Sequence, residues 1–295
     1  MSIFTGAAVA LITPMNPNGS INYEKMGQLI DMQIAGGTDA LVICGTTGES
    51  STMSHEEHIE TIRFAAEYTN HRVPIIAGAG SNCTETEVFL SKEAKKAGAD
   101  ALLLVSPYYN KATQNGLVAH FGAAAKAVDL PIILYNIPGR TGCNILPETV
   151  KKIVDEYDNV VAIKDATGNI DQIMKMMALC EGKLDLYSGN DDQITPILAA
   201  GGIGVISVLS HVAPLDTHNI VEFFLNGRVQ ESIALQHKYS GLVKALFSEV
   251  NPIPVKKAMN LLGYEVGPLR LPLTEMEDAH AEILAAEMRK LGILK

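Results

Sequence analysis

The sequence predicts an α/β fold, a (β/α)8 barrel carrying a small helical appendage at its C-terminal end. Three observations lead there. Eight short apolar runs recur at intervals of roughly 20–35 residues, each followed by loop residues and then a helical pattern. The runs are apolar at successive positions, as strands are when a parallel sheet is covered on both faces. A weak internal repeat, IAGGTDALVI (34–43), KAGADALLLV (96–105) and AAGGIGVISV (199–208), places a helix end, a glycine stop and a buried strand in the same order each time. Eight such units close a barrel. A doubly wound open sheet accounts less well for near-equal units, and no G-x-G-x-x-G follows the first run.

Taken in order, the expected strands are Ala7–Ile12, Ala40–Cys44, Pro74–Ala77, Ala101–Val105, Pro131–Tyr135, Val160–Lys164, Asp185–Ser188 and Gly204–Val208. Pro14 stops the first. Between the strands, Ser54-x-x-Glu57 and Thr84-x-x-Glu87 read as capping boxes, and Pro147 suits a first helical position. After Gly227 the strand runs cease. Segments 228–247, 252–262 and 274–291 read as helices, broken at Asn251-Pro252 and around Gly267-Pro268. The expected division is a catalytic barrel over residues 1–227 and a helical unit over 228–295.

The net charge of −10 argues against a nucleic-acid or anionic-membrane binder. No apolar run approaches the roughly 18–20 residues that span a bilayer, and the N-terminus lacks the basic region of a signal peptide. Cys44, Cys83, Cys143 and Cys180 are scattered without a C-x-x-C, which suggests reduced thiols and a cytoplasmic location. Cys143 is expected to pack. His55-x-x-His58 lacks the H-E-x-x-H spacing and a third ligand, so no metal is expected; no Walker loop or G-x-S-x-G occurs either.

The chemistry concentrates at strand ends, where barrels of this kind keep their active sites. Lys164 ends the apolar run VVAIK. A lysine there either snorkels, pairs with Asp165, or is held neutral as a nucleophile that condenses with a carbonyl. Around the same rim stand Gly45-Thr46-Thr47-Gly48, Ser106-Pro107-Tyr108-Tyr109-Asn110, Tyr135 through Gly142, and Ser188 through Asp192. Tyr135, on the neighbouring strand, can shuttle the protons of carbinolamine formation and dehydration, and Thr46 and Tyr109 can extend that relay. The Gly45–Gly48 turn offers N–H groups and hydroxyls to a carboxylate. Arg140 can clamp a second carboxylate bidentately. Singly, each residue reads as a turn, a packing group or a salt-bridge partner; their joint placement favours a site for a small dicarboxylate or α-keto acid.

The motifs GTTGES (45–50), SPYYN (106–110), YNIPGRTG (135–142), IKDATGN (163–169) and NPIPVK (251–256) together resemble the dihydrodipicolinate synthase family of pyruvate-dependent Schiff-base lyases and aldolases, over essentially the whole chain. The resemblance implies condensation of pyruvate with L-aspartate-4-semialdehyde, the step that opens the diaminopimelate route to lysine, with no cofactor beyond the pyruvate imine on Lys164. It implies a proton relay of Tyr135, Thr46 and Tyr109, the last from a neighbouring subunit of a tetramer built as a dimer of dimers. It assigns Thr47 to the pyruvate carboxylate and Arg140 to that of the semialdehyde, with Gly189 and the Ile206 carbonyl lining the site. Ser50, Ser51, His55, His58, Asn82 and Tyr108 match positions that bind inhibitory L-lysine in feedback-sensitive members. Those members carry a glutamate where this chain has Thr86, so weakened feedback is expected. The competing readings are an N-acetylneuraminate or 2-keto-3-deoxy-sugar-acid lyase, against which Arg140 argues, and a non-catalytic barrel, against which the retained Lys164, Tyr135 and Thr46 argue.

Overall fold

A computed structural model describes residues 2–295. The strands are β1 (Gly6–Ala10), β2 (Ala40–Ile43), β3 (Ile75–Gly78), β4 (Ala101–Val105), β5 (Ile132–Asn136), β6 (Val160–Asp165), β7 (Asp185–Ser188) and β8 (Gly204–Ser207). All pair in parallel in chain order, and β8 pairs back onto β1 through Gly6 opposite Gly204, closing the barrel. Each expected run holds a strand; β4 and β7 match their runs at both ends, and the other six are shifted by a residue or two at one end or both. β2 stops before Cys44 because Cys44 adopts a left-handed conformation, φ 56°.

The helices are α1 (Tyr23–Ala35), α2 (His55–Thr69), α3 (Thr84–Lys96), α4 (Gln114–Ala127), α5 (Pro138–Thr141), α6 (Pro147–Glu156), α7 (Ile170–Cys180), α8 (Ile194–Ala199), α9 (Pro214–Leu225), α10 (Val229–Leu246), α11 (Ile253–Leu261) and α12 (Asp278–Lys290). The Ser54/Glu57 capping box forms as expected, and Pro147 opens α6. The second expected box does not form. Cys83 holds the cap position without a side-chain bond, and Thr84 is already helical. Glu87 instead turns inward, fully buried, where its Oε2 lies 2.9 Å from His120 Nε2 and accepts the Ser81 N–H at 3.3 Å. A buried carboxylate takes the partner that meets it inside, not the exposed helix end.

Side chains alternate across each strand. Ala8, Ala10, Val42, Ile76, Leu103, Ile133, Ala162 and Ile206 form the cluster inside the barrel. A larger cluster lies between sheet and helices and includes Val9, Leu41, Ile43, Leu102, Leu134 and Ile163. The alternation fixes the site: Tyr135 is two residues beyond Ile133, and Lys164 two beyond Ala162. Both therefore point inward, at the C-terminal rim.

The turn at Asn226-Gly227 leads into α10, which packs along α9 and α12, while α11 packs on α12. The C-terminal helices are tied into the barrel's loops. Gln236 of α10 donates to the Asp191 carbonyl at 2.6 Å. Lys256 of α11 is buried, donating to Glu49 Oε1 at 2.6 Å and to the Pro268 carbonyl at 2.7 Å. Glu49 Oε2 accepts the Arg270 backbone N–H at 2.9 Å.

Candidate active site

A cavity of about 970 Å³ opens at the C-terminal ends of the strands. Thr46, Thr47, Tyr135, Arg140, Lys164 and Gly189 line it. Lys164, 6% exposed, stands opposite Tyr135 in the β5–β6 register. Its Nζ lies over the phenol ring, 4.3 Å from the ring centroid, a cation–π position rather than a hydrogen bond to the hydroxyl.

Burial pushes the Lys164 amine down to about 8; the negative charge of Asp191 opposes that shift and the Arg140 guanidinium adds to it. Asp165 does not pair with the amine. It belongs to the opposite face of β6 and its Oδ1 accepts from the Thr167 N–H at 2.9 Å and hydroxyl at 2.6 Å. Burial pushes the Tyr135 phenol up to about 12, so it holds its proton firmly at neutral pH. An amine that loses its proton easily thus faces a phenol that keeps one, which suits nucleophilic attack followed by proton donation.

The flanking loops have identifiable supports. After β2 the chain turns through Gly45–Gly48, where the Thr13 hydroxyl donates to the Gly48 carbonyl at 2.7 Å. Thr46 is exposed to the cavity, while Thr47 is almost wholly buried and keeps only a small part of its surface in the cavity wall. Arg140 sits on the short α5, its Nη2 donating to the Asn251 carbonyl at 2.7 Å. Gly189 must be glycine: a Cβ there would lie 2.8 Å from Ala166 Cβ and 3.0 Å from the Asp165 carbonyl, to which its own N–H donates at 2.7 Å.

Other candidates lie elsewhere. Tyr109 is 89% exposed with φ 74° and does not line its own chain's cavity. Ile206 is buried in the barrel interior beneath the cavity lining. Ser50, Ser51, His55, His58, Tyr108 and Thr86 line the same cavity, towards α2 and α3, whereas Asn82 does not. The Asn82 carbonyl accepts from Asn110 Nδ2 at 2.9 Å. His58 Nε2 is engaged with the Gly78 carbonyl at 2.7 Å, and burial holds its pKa down. Among the described residues, no three His, Cys, Asp or Glu side chains group as metal ligands, and no helix is long and apolar enough to cross a membrane.

Sequence reading missed two supporting residues. Asp191, 2% exposed, accepts the Val208 and Leu209 N–H groups at 2.9 and 2.8 Å and so holds the end of β8. Its place in the polar run after β7 was the available signal. Asn251 donates from Nδ2 to the Thr47 hydroxyl at 2.8 Å. Its motif was visible, but nothing local says where an asparagine beyond residue 227 will reach.

A closed parallel barrel with a buried amine beside a phenol at its C-terminal rim has the parts of a barrel enzyme that acts on a carbonyl through an amine. The chain belongs to the dihydrodipicolinate synthetase family, whose pattern it matches over residues 3–291. It is 64% identical over 294 residues to the 4-hydroxy-tetrahydrodipicolinate synthase of Lachnoclostridium phytofermentans, covering all of both chains. It superposes with TM-score 0.97 and 40% identity on the Cyanidioschyzon merolae enzyme solved with lysine bound, covering all of both chains. It superposes with TM-score 0.96 and 40% identity on the chloride-inhibited Acinetobacter baumannii dihydrodipicolinate synthase complexed with pyruvate, covering 98% of this chain and 99% of that one.

Proposed function

We propose that the protein condenses pyruvate with L-aspartate-4-semialdehyde to 4-hydroxy-tetrahydrodipicolinate through an imine on Lys164. The observation that carries this reading is the buried Lys164 amine, held near pKa 8 on the strand position that faces Tyr135, in a chain of this family.

The neutral amine attacks C2 of pyruvate, and the resulting carbinolamine loses water to give the iminium. The Tyr135 phenol supplies the proton for the departing hydroxide and recovers one through the Thr46 hydroxyl and Tyr109. Loss of a C3 proton gives the enamine, which forms a C–C bond to the aldehyde carbon; the aldehyde oxygen takes up a proton. The α-amine of the semialdehyde then adds to C2, and the C2–Lys164 bond breaks, restoring the free enzyme. One water leaves overall. Thr47 receives the pyruvate carboxylate, Arg140 that of the semialdehyde, and the Ile206 carbonyl and Gly189 border the bound keto acid.

Tyr109 serves the neighbouring subunit's cavity in a homotetramer, a reading its outward placement supports. L-lysine binds weakly along the Ser50, Ser51, His55, His58, Asn82 and Tyr108 wall. Thr86 offers its ammonium no carboxylate, and neighbouring Glu87 is buried against His120. The protein works in the cytoplasm, without a metal or external cofactor.

Borohydride reduction in the presence of pyruvate, followed by peptide mass spectrometry, tests the chemistry. The expected result is a reduced pyruvate adduct on Lys164; an adduct elsewhere, or none, overturns it. Turnover with the semialdehyde but not with N-acetylneuraminate or 2-keto-3-deoxy sugar acids tests the substrate, and the reverse preference overturns it.

A further inference from the structure

We infer that Asn251, from the C-terminal segment, is a positioning residue that sets the direction of the Thr47 hydroxyl and thereby prepares the pyruvate-carboxylate site. The inference rests on the proposed role of Thr47.

A threonine hydroxyl has one proton to donate and lone pairs to accept with. Asn251 Nδ2 can only donate, and it lies 2.8 Å from Thr47 Oγ1. That contact occupies one of the hydroxyl's two accepting lone pairs and leaves its single proton for another partner. Thr47 is 4% exposed, and what surface it keeps belongs to the cavity wall. A carboxylate arriving there meets a hydroxyl already turned to donate, so less ordering is needed on binding.

The same residue reaches the second carboxylate binder. Its backbone carbonyl accepts from Arg140 Nη2 at 2.7 Å, leaving the other guanidinium N–H groups uncommitted by that bond. Asn251 therefore lies between the two carboxylate-binding side chains and touches both. Its Oδ1 is buried without a protein partner, so the amide is not saturated by packing contacts as a purely structural asparagine would be.

The support behind Asn251 is rigid. Five residues on, Lys256 is paired with Glu49, two residues beyond Thr47. Two contacts from one segment thus pin two positions of one loop, 204 and 207 residues away in sequence. That arrangement fixes a side-chain direction better than either contact alone.

The test is a double-mutant cycle on the full-length enzyme: Asn251→Ala, Thr47→Val and the pair, with steady-state parameters for both substrates. Asn251→Ala is expected to raise the pyruvate KM roughly tenfold, the worth of one well-directed hydrogen bond to a charged group, with a much smaller change in kcat. Thr47→Val is expected to raise it comparably, and Asn251→Ala to add little in that background, because its effect runs through the hydroxyl. The near-isosteric Asn251→Asp keeps the volume should the alanine variant fold poorly. Its carboxylate draws the Thr47 proton to itself, so it is expected to raise the pyruvate KM at least as much. An unchanged pyruvate KM in both Asn251 variants, or additive effects in the cycle, overturns the inference. A pyruvate KM unaffected by Thr47→Val alone overturns the assignment of Thr47 and this inference with it.

Discussion

Imine formation requires a neutral amine, so the state of Lys164 sets how the first step depends on pH. An ordinary lysine, near 10.5, is neutral in roughly 3 molecules per 10,000 at pH 7. With Lys164 held at about 8, roughly a tenth is neutral, a gain of roughly 300-fold in nucleophile. The rate of adduct formation at subsaturating pyruvate should therefore climb about tenfold per pH unit below 7 and level off above about 9. The charges around the amine give the prediction a second handle. Asp191 raises the Lys164 pKa and Arg140 lowers it. Asp191→Asn keeps an acceptor for the Val208 and Leu209 N–H groups while removing the charge. A loss of about one unit from the inflection, typical of one nearby buried charge, would take the neutral fraction at pH 7 to roughly half and speed imine formation about fivefold. Arg140→Met should move the inflection the other way. The assay is borohydride quenching at timed intervals with intact-mass readout across pH 5.5–10. A wild-type inflection at or above 10, or an Asp191→Asn inflection above that of the wild type, refutes the reasoning.

Lys164→Met should abolish the borohydride adduct yet raise stability. Burial disfavours the charged amine at every pH below about 8, so removing it relieves up to about 3 kcal/mol at pH 7, seen as a higher melting temperature; a lower one contradicts the burial argument. His211 accepts the Ile12 N–H on Nε2 at 3.0 Å, faces the Val208 carbonyl with Nδ1, and burial lowers its pKa to about 4. The unfolded chain, near 6.5, binds this proton first, so the stability His211 supplies is present above 6.5 and falls by about 3 kcal/mol as pH drops to 4. Urea titrations of the wild type and His211→Gln at pH 7 and 4.5 should isolate this loss to the wild type. Lys256→Met leaves the Glu49 carboxylate buried and unpaired and should cost about 3–5 kcal/mol by denaturant midpoint, whereas Glu49→Gln with Lys256→Met should recover part of it. Thr86→Glu should strengthen L-lysine inhibition, measured as a lower half-inhibitory concentration, and an unaltered curve would remove residue 86 from that wall.

The fold was legible because parallel strands buried on both faces admit few polar residues, so each strand reads as an apolar run and the exceptions mark the rim. Lys164 and Tyr135 were found that way, and period-two alternation from Ala162 and Ile133 explains why they meet. What was missed depended on distant partners. The Thr84-x-x-Glu87 pattern is locally indistinguishable from the Ser54 box that does form. His120, on the next helix, and the Ser81 N–H draw Glu87 inside. Asn251 and Asp191 act through contacts with loops whose position no local pattern reveals.

Glu49 has the Thr46-Thr47 turn on one side and the Ser50–Thr52 turn on the other, and two bonds from the C-terminal segment, from Lys256 Nζ and the Arg270 N–H, clasp its carboxylate. Neither turn can be lengthened, shortened or swapped for a homologue's without dislodging its neighbour. Loop grafting in this barrel must therefore carry residues 45–53 and 251–270 as one cassette, or the transplanted turn will arrive without its footing.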